Sequence, residues 1–291
     1  MSRLSRLAGA AAALAGIGAV GVAGLTAWTL NARPRPALPY TFTPFEVQVP
    51  AQDLRLTAAD GVPVAGWLLP RPEATSVVIC CHGHRGSKAD MLGLGPGLWR
   101  AGHEVVLLDF RGCGESGDGP ASLALYEQQD LRVVVDWVAT HRPGRRISVV
   151  AFSMGAATAI LAAADDPRVE RLVLDSPFAR MDDLVAANLR RRRLPAGPVL
   201  ALADLVNRVG YGYRYAQVRP VEVVARLAPR PVLLLHATED SVVPYRHALE
   251  LLAASGDGTE LVTFEGLDHC GGYFADRPGY IARVAAFLAS G

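Results

Sequence analysis

Five short, nearly continuous apolar runs place the strongest constraint on how this chain of 291 residues can fold. They lie at 76–81, 104–109, 146–152, 171–175 and 231–236. Runs of this length and apolarity are typical of strands that are buried on both faces. Helical stretches separate them, at 90–100, 123–140, 154–164 and 245–253. This alternation predicts an α/β fold, with a mostly parallel sheet and helices on both faces.

Further elements are predicted around this alternating core. Residues 45–49 and 62–69 alternate apolar with polar or small side chains around Asp60 and Gly61, which predicts an antiparallel hairpin. A strand at 260–264 and a helix at 277–289 follow the last of the five runs.

Between about 177 and 230 the alternation gives way to three helical stretches, which predict a short helical cap. The stretches lie at 181–189, 195–209 and 221–227. The apolar and aromatic residues of this segment either roof an acyl pocket or pack on the sheet; they are Leu200, Leu202, Val206, Tyr211, Tyr213 and Tyr215.

The N-terminal segment contains no charged residue from Leu7 to Leu30, and at about 1.5 Å per helical residue it reaches roughly 36 Å. Arg3 and Arg6 precede it and a proline-rich stretch follows. We expect a transmembrane anchor at 1–30, a linker at 31–44 and one domain at 45–291. The alternative is a cleaved signal peptide, although the stretch is long for one and no A-x-A site follows.

The orientation of this segment depends on flanking arginines that nearly balance, with the amino terminus tipping the count. We expect the N-terminus in the cytoplasm and the domain outside it, at the cell membrane. Protease accessibility on intact cells tests this location. Signal cleavage would give a secreted protein instead.

Charge and cysteine content exclude several classes of partner. With 29 basic and 28 acidic residues the net charge is +1, so no overall field attracts nucleic acid. The four cysteines have no metal-ligand or C-x-x-C spacing, and we expect neither a metal nor a cofactor. A Cys113–Cys270 disulfide and the oligomeric state stay open.

One strand-to-helix junction carries a candidate nucleophile. The run 146–152 leads directly into Ser153, and a helix begins at Met154. In A-F-S-M-G the serine would occupy a tight, strained turn that needs small residues two positions away, here Ala151 and Gly155. The positive end of the helix dipole favours negative charge developing there.

A serine hydroxyl needs a base that a carboxylate holds in one tautomer. Asp240 follows the strand at 231–236, and His269 follows the strand at 260–264. Ser153, Asp240 and His269 thus occur in the order of the nucleophile-elbow enzymes. Asp175 also ends a strand and competes for the acid role, but the loop around Asp240 and the histidine downstream favour Asp240.

Four further motifs carry a family resemblance. They are H-G-H-R-G-S at 82–87, D-F-R-G-C-G-E-S at 109–116, S-P-F at 176–178 and E-D-S-V-V-P at 239–244. With the serine junction they make residues 47–288 resemble the serine α/β-hydrolases, and similar to the membrane-tethered and S33-peptidase-like branches. The resemblance implies an α/β-hydrolase fold. It also implies an oxyanion hole formed by the backbone N–H groups of His84 and Met154, worth about 3 kcal/mol per donor.

The resemblance implies a serine hydrolase that cleaves a small-molecule carboxylic ester, amide or thioester through an acyl-enzyme, without a cofactor. An S33-type peptidase is an alternative, in which Glu239 or Asp268 would bind the substrate amine. Acyl transfer to an acceptor other than water is another. A catalytically silent binding protein is the third, although Ser153, Asp240 and His269 are all present.

Overall fold

A computed structural model describes residues 3–32 and 42–290, with the backbone alone at 3–15 and 17. Most of the predicted linker, residues 33–41, therefore lies outside the described residues. The described strands are β1 (Gln52–Thr57), β2 (Pro63–Leu69), β3 (Ser76–Cys81), β4 (Glu104–Leu108), β5 (Arg146–Phe152), β6 (Val169–Asp175), β7 (Val232–Ala237) and β8 (Thr259–Phe264).

These strands form one sheet in the order β1-β2-β4-β3-β5-β6-β7-β8. Strand β2 runs antiparallel to β1 and β4, and every other neighbouring pair is parallel. The mostly parallel sheet of the prediction is therefore confirmed. The predicted hairpin is correct at its turn but wrong in its first strand, because residues 45–48 form turns and Val49 lies in the irregular segment before β1.

The described helices lie before, between and after the strands. They are α1 (Arg3–Asn31), α2 (Gly95–Arg100), α3 (Glu127–His141), α4 (Met154–Ala163), α5 (Met181–Arg191), α6 (Ala196–Tyr211), α7 (Arg246–Ala254), α8 (Gly271–Ala275) and α9 (Arg277–Ala289). Helices α5 and α6 occupy the predicted cap. The third cap helix is wrong, since two short 3-10 turns, Pro220–Glu222 and Val224–Leu227, stand in its place.

Alternation along the central strands produces two apolar layers, one on each face of the sheet. In β3, Val77 and Ile79 pack into the layer that includes α3 and α4. Val78 and Cys80 face the opposite layer, which includes α2 and α9. Because neither face of such a strand contacts solvent, its sequence is a continuous apolar run.

Helix α1 is the segment predicted to span a membrane. Its helical conformation is present, and its C-terminal part packs against α6, with Ala23 and Ala27 fully buried. The prediction of a transmembrane helix finds no support in the described part of the chain, where no helix combines the length and apolarity needed to cross a bilayer.

Candidate active site

Ser153 lies at the junction of β5 and α4 in a strained backbone conformation. Its φ is +51° and its ψ is −115°, a region that costs a non-glycine residue about 1–3 kcal/mol. Two hydrogen bonds hold the turn: Ser153 N–H donates to the Asp175 carbonyl (2.7 Å), and Ala157 N–H donates to the Ser153 carbonyl (3.1 Å). The strained turn that the A-F-S-M-G motif predicts is therefore present.

Gly155 allows α4 to approach the end of β3. A Cβ at this position would lie 2.5 Å from the His82 carbonyl oxygen and 2.9 Å from that of Cys81, closer than a side chain tolerates. On the opposite side, a Cβ at Gly83 would lie 3.4 Å from the Cβ of Ser153. The loop after β3 therefore passes directly beside the serine.

His269 is paired with Asp240. Its Nδ1 lies 2.7 Å from Oδ2 of Asp240, whose side chain is buried while the histidine is partly exposed. Oδ1 of Asp240 accepts hydrogen bonds from the backbone N–H groups of Val242 (2.9 Å) and Val243 (2.7 Å). Burial raises the pKa of Asp240, but these bonds and His269 outweigh it, and the net pKa is lowered.

The neighbouring Asp268 joins the two loops that carry this pair. Its Oδ1 accepts hydrogen bonds from the backbone N–H groups of Ser241 and His269, each at 2.7 Å. Its carboxylate therefore fixes the His269 loop against the Asp240 loop.

Asp175, the competing acid, has other partners. Its Oδ2 accepts a hydrogen bond from the Tyr280 hydroxyl (2.8 Å), and its Oδ1 accepts one from the Ser176 hydroxyl (2.9 Å). Burial raises the pKa of this carboxyl to about 6. The structure thus pairs His269 with Asp240 and leaves Asp175 bonded to two hydroxyls.

Two cavities meet at Ser153. The one we call the histidine-side cavity has a volume of about 380 Å³ and is lined by Ser153, His269 and the apolar side chains of Met91, Leu94, Tyr273 and Phe274. Ser153 and His269 therefore face the same space. Volumes of this size are typical of small-molecule sites.

The second, which we call the cap-side cavity, has a volume of about 410 Å³. It is lined by residues of α1 and α5, by Met154 and Phe178, and by Ser153 and His84, which it shares with the histidine-side cavity. All five predicted site residues, Ser153, Asp240, His269, His84 and Met154, thus lie at or directly behind the walls of these two cavities.

The cap residues proposed as a roof lie elsewhere. Leu200, Leu202, Val206 and the three tyrosines do not line either cavity, and Tyr213 and Tyr215 are buried in the core. The cap-side cavity is bounded instead by α5 and by α1. The sequence does not reveal this role of α1, because a helix that packs on protein and a helix that lies in lipid can be equally apolar.

His236, in strand β7, lies beside the pair formed by His269 and Asp240. Its Nε2 donates to the Val243 carbonyl (2.8 Å) and lies 3.4 Å from Oδ2 of Asp240. Burial lowers the pKa of this imidazole. A neutral histidine thus lies behind the carboxylate that orients His269.

The D-F-R-G motif has a structural role. Asp109 accepts a hydrogen bond from the Lys88 backbone N–H (2.7 Å) and forms an ion pair with the Lys88 ammonium (3.2 Å). Arg111 is completely buried and pairs with Asp130 and Asp60. These ion pairs fix the loop that follows β4.

Within residues 3–32 and 42–290, no group of three or more His, Cys, Asp or Glu side chains is arranged to hold a metal ion. Cys80, Cys81, Cys113 and Cys270 are all free thiols and buried, so Cys113 and Cys270 are not joined.

The fold and this site define an α/β-hydrolase. The family model described as alpha/beta hydrolase fold matches residues 76–203, and the model described as TAP-like protein matches residues 205–291. The chain belongs to the α/β-hydrolase superfamily.

Two relatives match most of this chain in sequence, and two solved structures share its fold. YqkD of Bacillus subtilis is 29% identical over 80% of this chain and 77% of its own length. YfhR of Escherichia coli K12 is 25% identical over 80% and 78%. The Pyrococcus furiosus esterase Pf2001 has the same fold with a TM-score of 0.73, at 23% identity over 89% of this chain and 97% of that one. The esterase RhEst1 of a Rhodococcus species has a TM-score of 0.61 at 16% identity, over 82% and 98%.

Proposed function

We propose that this protein is a serine hydrolase that cleaves a carboxylic ester through an acyl-enzyme. One observation carries the proposal: Ser153, on its strained turn, faces the same cavity as His269, whose Nδ1 lies 2.7 Å from the buried Asp240. The resemblance of the fold to the esterases named above is consistent with it.

In this mechanism Oγ of Ser153 attacks the ester carbonyl while Nε2 of His269 accepts the hydroxyl proton. The backbone N–H groups of His84 and Met154 stabilise the oxyanion. The tetrahedral intermediate collapses, the carbon–oxygen bond to the leaving group breaks, and His269 returns the proton to the departing alcohol. Water, deprotonated by His269, then attacks the acyl carbonyl, the bond between the acyl carbon and Oγ breaks, and His269 returns the proton to Ser153 as the acid leaves. Asp240 orients the imidazole throughout.

We infer from the position of His269 which cavity takes the alcohol portion of the substrate and which takes the acyl portion. Because this residue protonates the leaving group, the alcohol portion of the substrate belongs on the side where His269 lines the wall. That is the histidine-side cavity. The cap-side cavity, which His269 does not line, is then the place for the acyl chain. Its walls include Leu184, Val185 and Leu189, so the acyl portion is apolar.

The alternatives receive less support. A peptidase would need an acidic group for the substrate amine, but neither Glu239 nor Asp268 lines the histidine-side or the cap-side cavity, and Asp268 is bonded to backbone N–H groups. A silent binding protein would have no use for the strain at Ser153. Thioester cleavage and acyl transfer use the same residues and belong to the same proposal.

The experiment is fluorophosphonate labelling of the full chain beside its Ser153→Ala variant. We expect wild type to react at one serine and the variant not to react, and p-nitrophenyl ester hydrolysis to fall about 10³-fold or more in the variant. Ser290→Ala, at an exposed serine that lines neither cavity, is the control and should be labelled like wild type. Unlabelled wild type with a cooperative unfolding transition would contradict the proposal and favour the binding protein.

A further inference from the structure

We propose that helix α1 is part of the substrate site: it forms one wall of the cap-side cavity, selects the length of the acyl chain, and positions the loop that carries His84. The proposal rests on the function proposed above, because that function makes the cap-side cavity the acyl site. The ligand it predicts is an extended apolar acyl chain.

One face of α1 is docked on the domain. Ala23, Ala27 and Asn31 recur every four residues, which places them on one side of the helix. The two alanines are fully buried, and Asn31 is 4% exposed. Small side chains on this face allow α1 to approach α6 closely.

A closed set of hydrogen bonds fixes the position of the helix. Asn31 Nδ2 donates to Oδ1 of Asn207 (2.7 Å), and the Tyr213 hydroxyl donates to Oδ1 of Asn31 (2.8 Å). Asn207 Nδ2 donates in turn to the Tyr213 carbonyl (2.6 Å). Buried amides bonded in this way permit one arrangement of two elements, because any shift would leave them without partners.

The adjacent face of α1 lines the cavity. Its lining residues are Val22, Leu25, Thr26, Thr29 and Leu30. The two threonine hydroxyls donate within the helix, from Thr26 to the Val22 carbonyl (2.8 Å) and from Thr29 to the Thr26 carbonyl (2.9 Å). Because these hydroxyl protons are donated within the helix, the two threonines offer no free hydrogen-bond donor to the cavity.

The end of α1 also holds the loop beside Ser153. His84 Nε2 donates to the carbonyl of Leu30, in the last turn of α1 (3.0 Å). The guanidinium carbon of Arg85 lies 6.0 Å from the centre of the Trp28 ring. The segment that carries a predicted oxyanion donor is therefore tied to α1 at two successive residues.

Two valines of α1 provide a matched experiment on the full chain. Val22 lines the cavity, whereas Val20, two residues earlier, is 55% exposed and does not line it. We expect Val22→Phe to narrow the cavity and lower the dodecanoate-to-acetate ratio of kcat/KM for p-nitrophenyl esters about tenfold or more. Val20→Phe should leave that ratio within about twofold of wild type.

The Val22→Ala variant distinguishes this effect from a folding defect. It enlarges the cavity and should raise the dodecanoate-to-acetate ratio of kcat/KM. Equal changes on every ester, or the same change in Val20→Phe, would overturn the role of α1. Calorimetry measures the binding of dodecanoate to the Ser153→Ala variant, in which no turnover occurs. Adding Val22→Phe to this variant should weaken the binding of dodecanoate about tenfold. If no ester is hydrolysed, the proposed function fails, and this binding result alone decides on α1.

Discussion

Two aspartates at the carboxyl ends of neighbouring strands show how local contacts decide the charge of a residue. Asp240 accepts hydrogen bonds from two backbone N–H groups and from His269, and its pKa is lowered despite burial. Asp175 accepts bonds from two neutral hydroxyls, and burial raises its pKa to about 6. Near neutral pH, Asp240 is therefore a fixed negative charge, whereas Asp175 takes up a proton in mild acid.

The raised pKa of Asp175 predicts a pH dependence of stability. Between pH 4 and 6 the folded state binds more protons at this residue than the unfolded state, so its contribution to stability falls as the pH rises. A shift from the ordinary value to about 6 corresponds to about 3 kcal/mol. We expect the unfolding free energy of Asp175→Asn, relative to wild type, to increase by up to about this amount between pH 4 and pH 8.

Urea unfolding at several pH values measures this difference, since the midpoint and slope give the free energy at each pH. Asp257→Asn, at an exposed position, is the control and should follow the wild-type profile. Parallel profiles for wild type and Asp175→Asn would contradict a proton uptake by Asp175.

At the scale of elements, the sequence predicts best the strands that are covered on both faces. Strands β3 and β5 have the predicted bounds, β4 and β6 differ from prediction by one or two residues at one end, and β7 differs by one residue at each end. The reason is physical: burial on both faces requires a continuous apolar run, and a polar or turn residue ends it. The serine junction was predictable for a similar reason, because its turn restricts which residues can flank it.

Other elements depend on contacts that a local pattern does not contain. The alternation of apolar and polar residues at 45–49 resembles a strand, but the strand that forms the hairpin with β2 is β1. This strand is mostly exposed, and its apolar–polar alternation is weaker. In the same way, the apolar pattern of α1 predicts a helix without specifying what covers it. The structure shows the partner: Ala23 and Ala27 are buried where α1 packs against α6, and Asn31 is hydrogen-bonded to Asn207 of α6 and to Tyr213 just after it.

The docking of α1 on α6 predicts a measurable coupling between Asn31 and Asn207. We expect Asn31→Ala to lower the unfolding free energy by about 1–3 kcal/mol, because it leaves polar atoms of Asn207 and Tyr213 buried without partners. A double-mutant cycle with Asn207→Ala should give a coupling energy of about 0.5–3 kcal/mol. Strictly additive effects would mean that the two amides are not in contact.

At the scale of the whole molecule, the site is assembled from segments far apart in the chain. Residues near position 25 line the same cavity as Ser153 and Val243, and His269 meets Asp240 from the loop after the last strand. Such a site is complete only when every segment is docked. The N-terminal helix is therefore expected to contribute to activity through its position on the domain, independently of what connects it to β1.

This expectation can be tested by cutting the chain between residues 32 and 42 after it has folded, at an inserted protease site. If packing on α6 and the bonds of Asn31 hold α1 in place, the two fragments stay associated on gel filtration. The dodecanoate-to-acetate ratio of kcat/KM should then stay within about twofold of that of the uncut protein.

The cut fragment that carries α1 is then dissociated with mild denaturant, and the remaining domain is returned to buffer. The dodecanoate-to-acetate ratio of kcat/KM should fall about tenfold or more, because the cap-side cavity loses the wall formed by Val22, Leu25 and Leu30. Fluorophosphonate labelling of Ser153 reports separately whether the domain is still folded. Uncut protein taken through the same denaturant step is the control and should keep its ratio. A labelled domain that keeps the long-chain preference without α1 would show that the helix is not part of the acyl site.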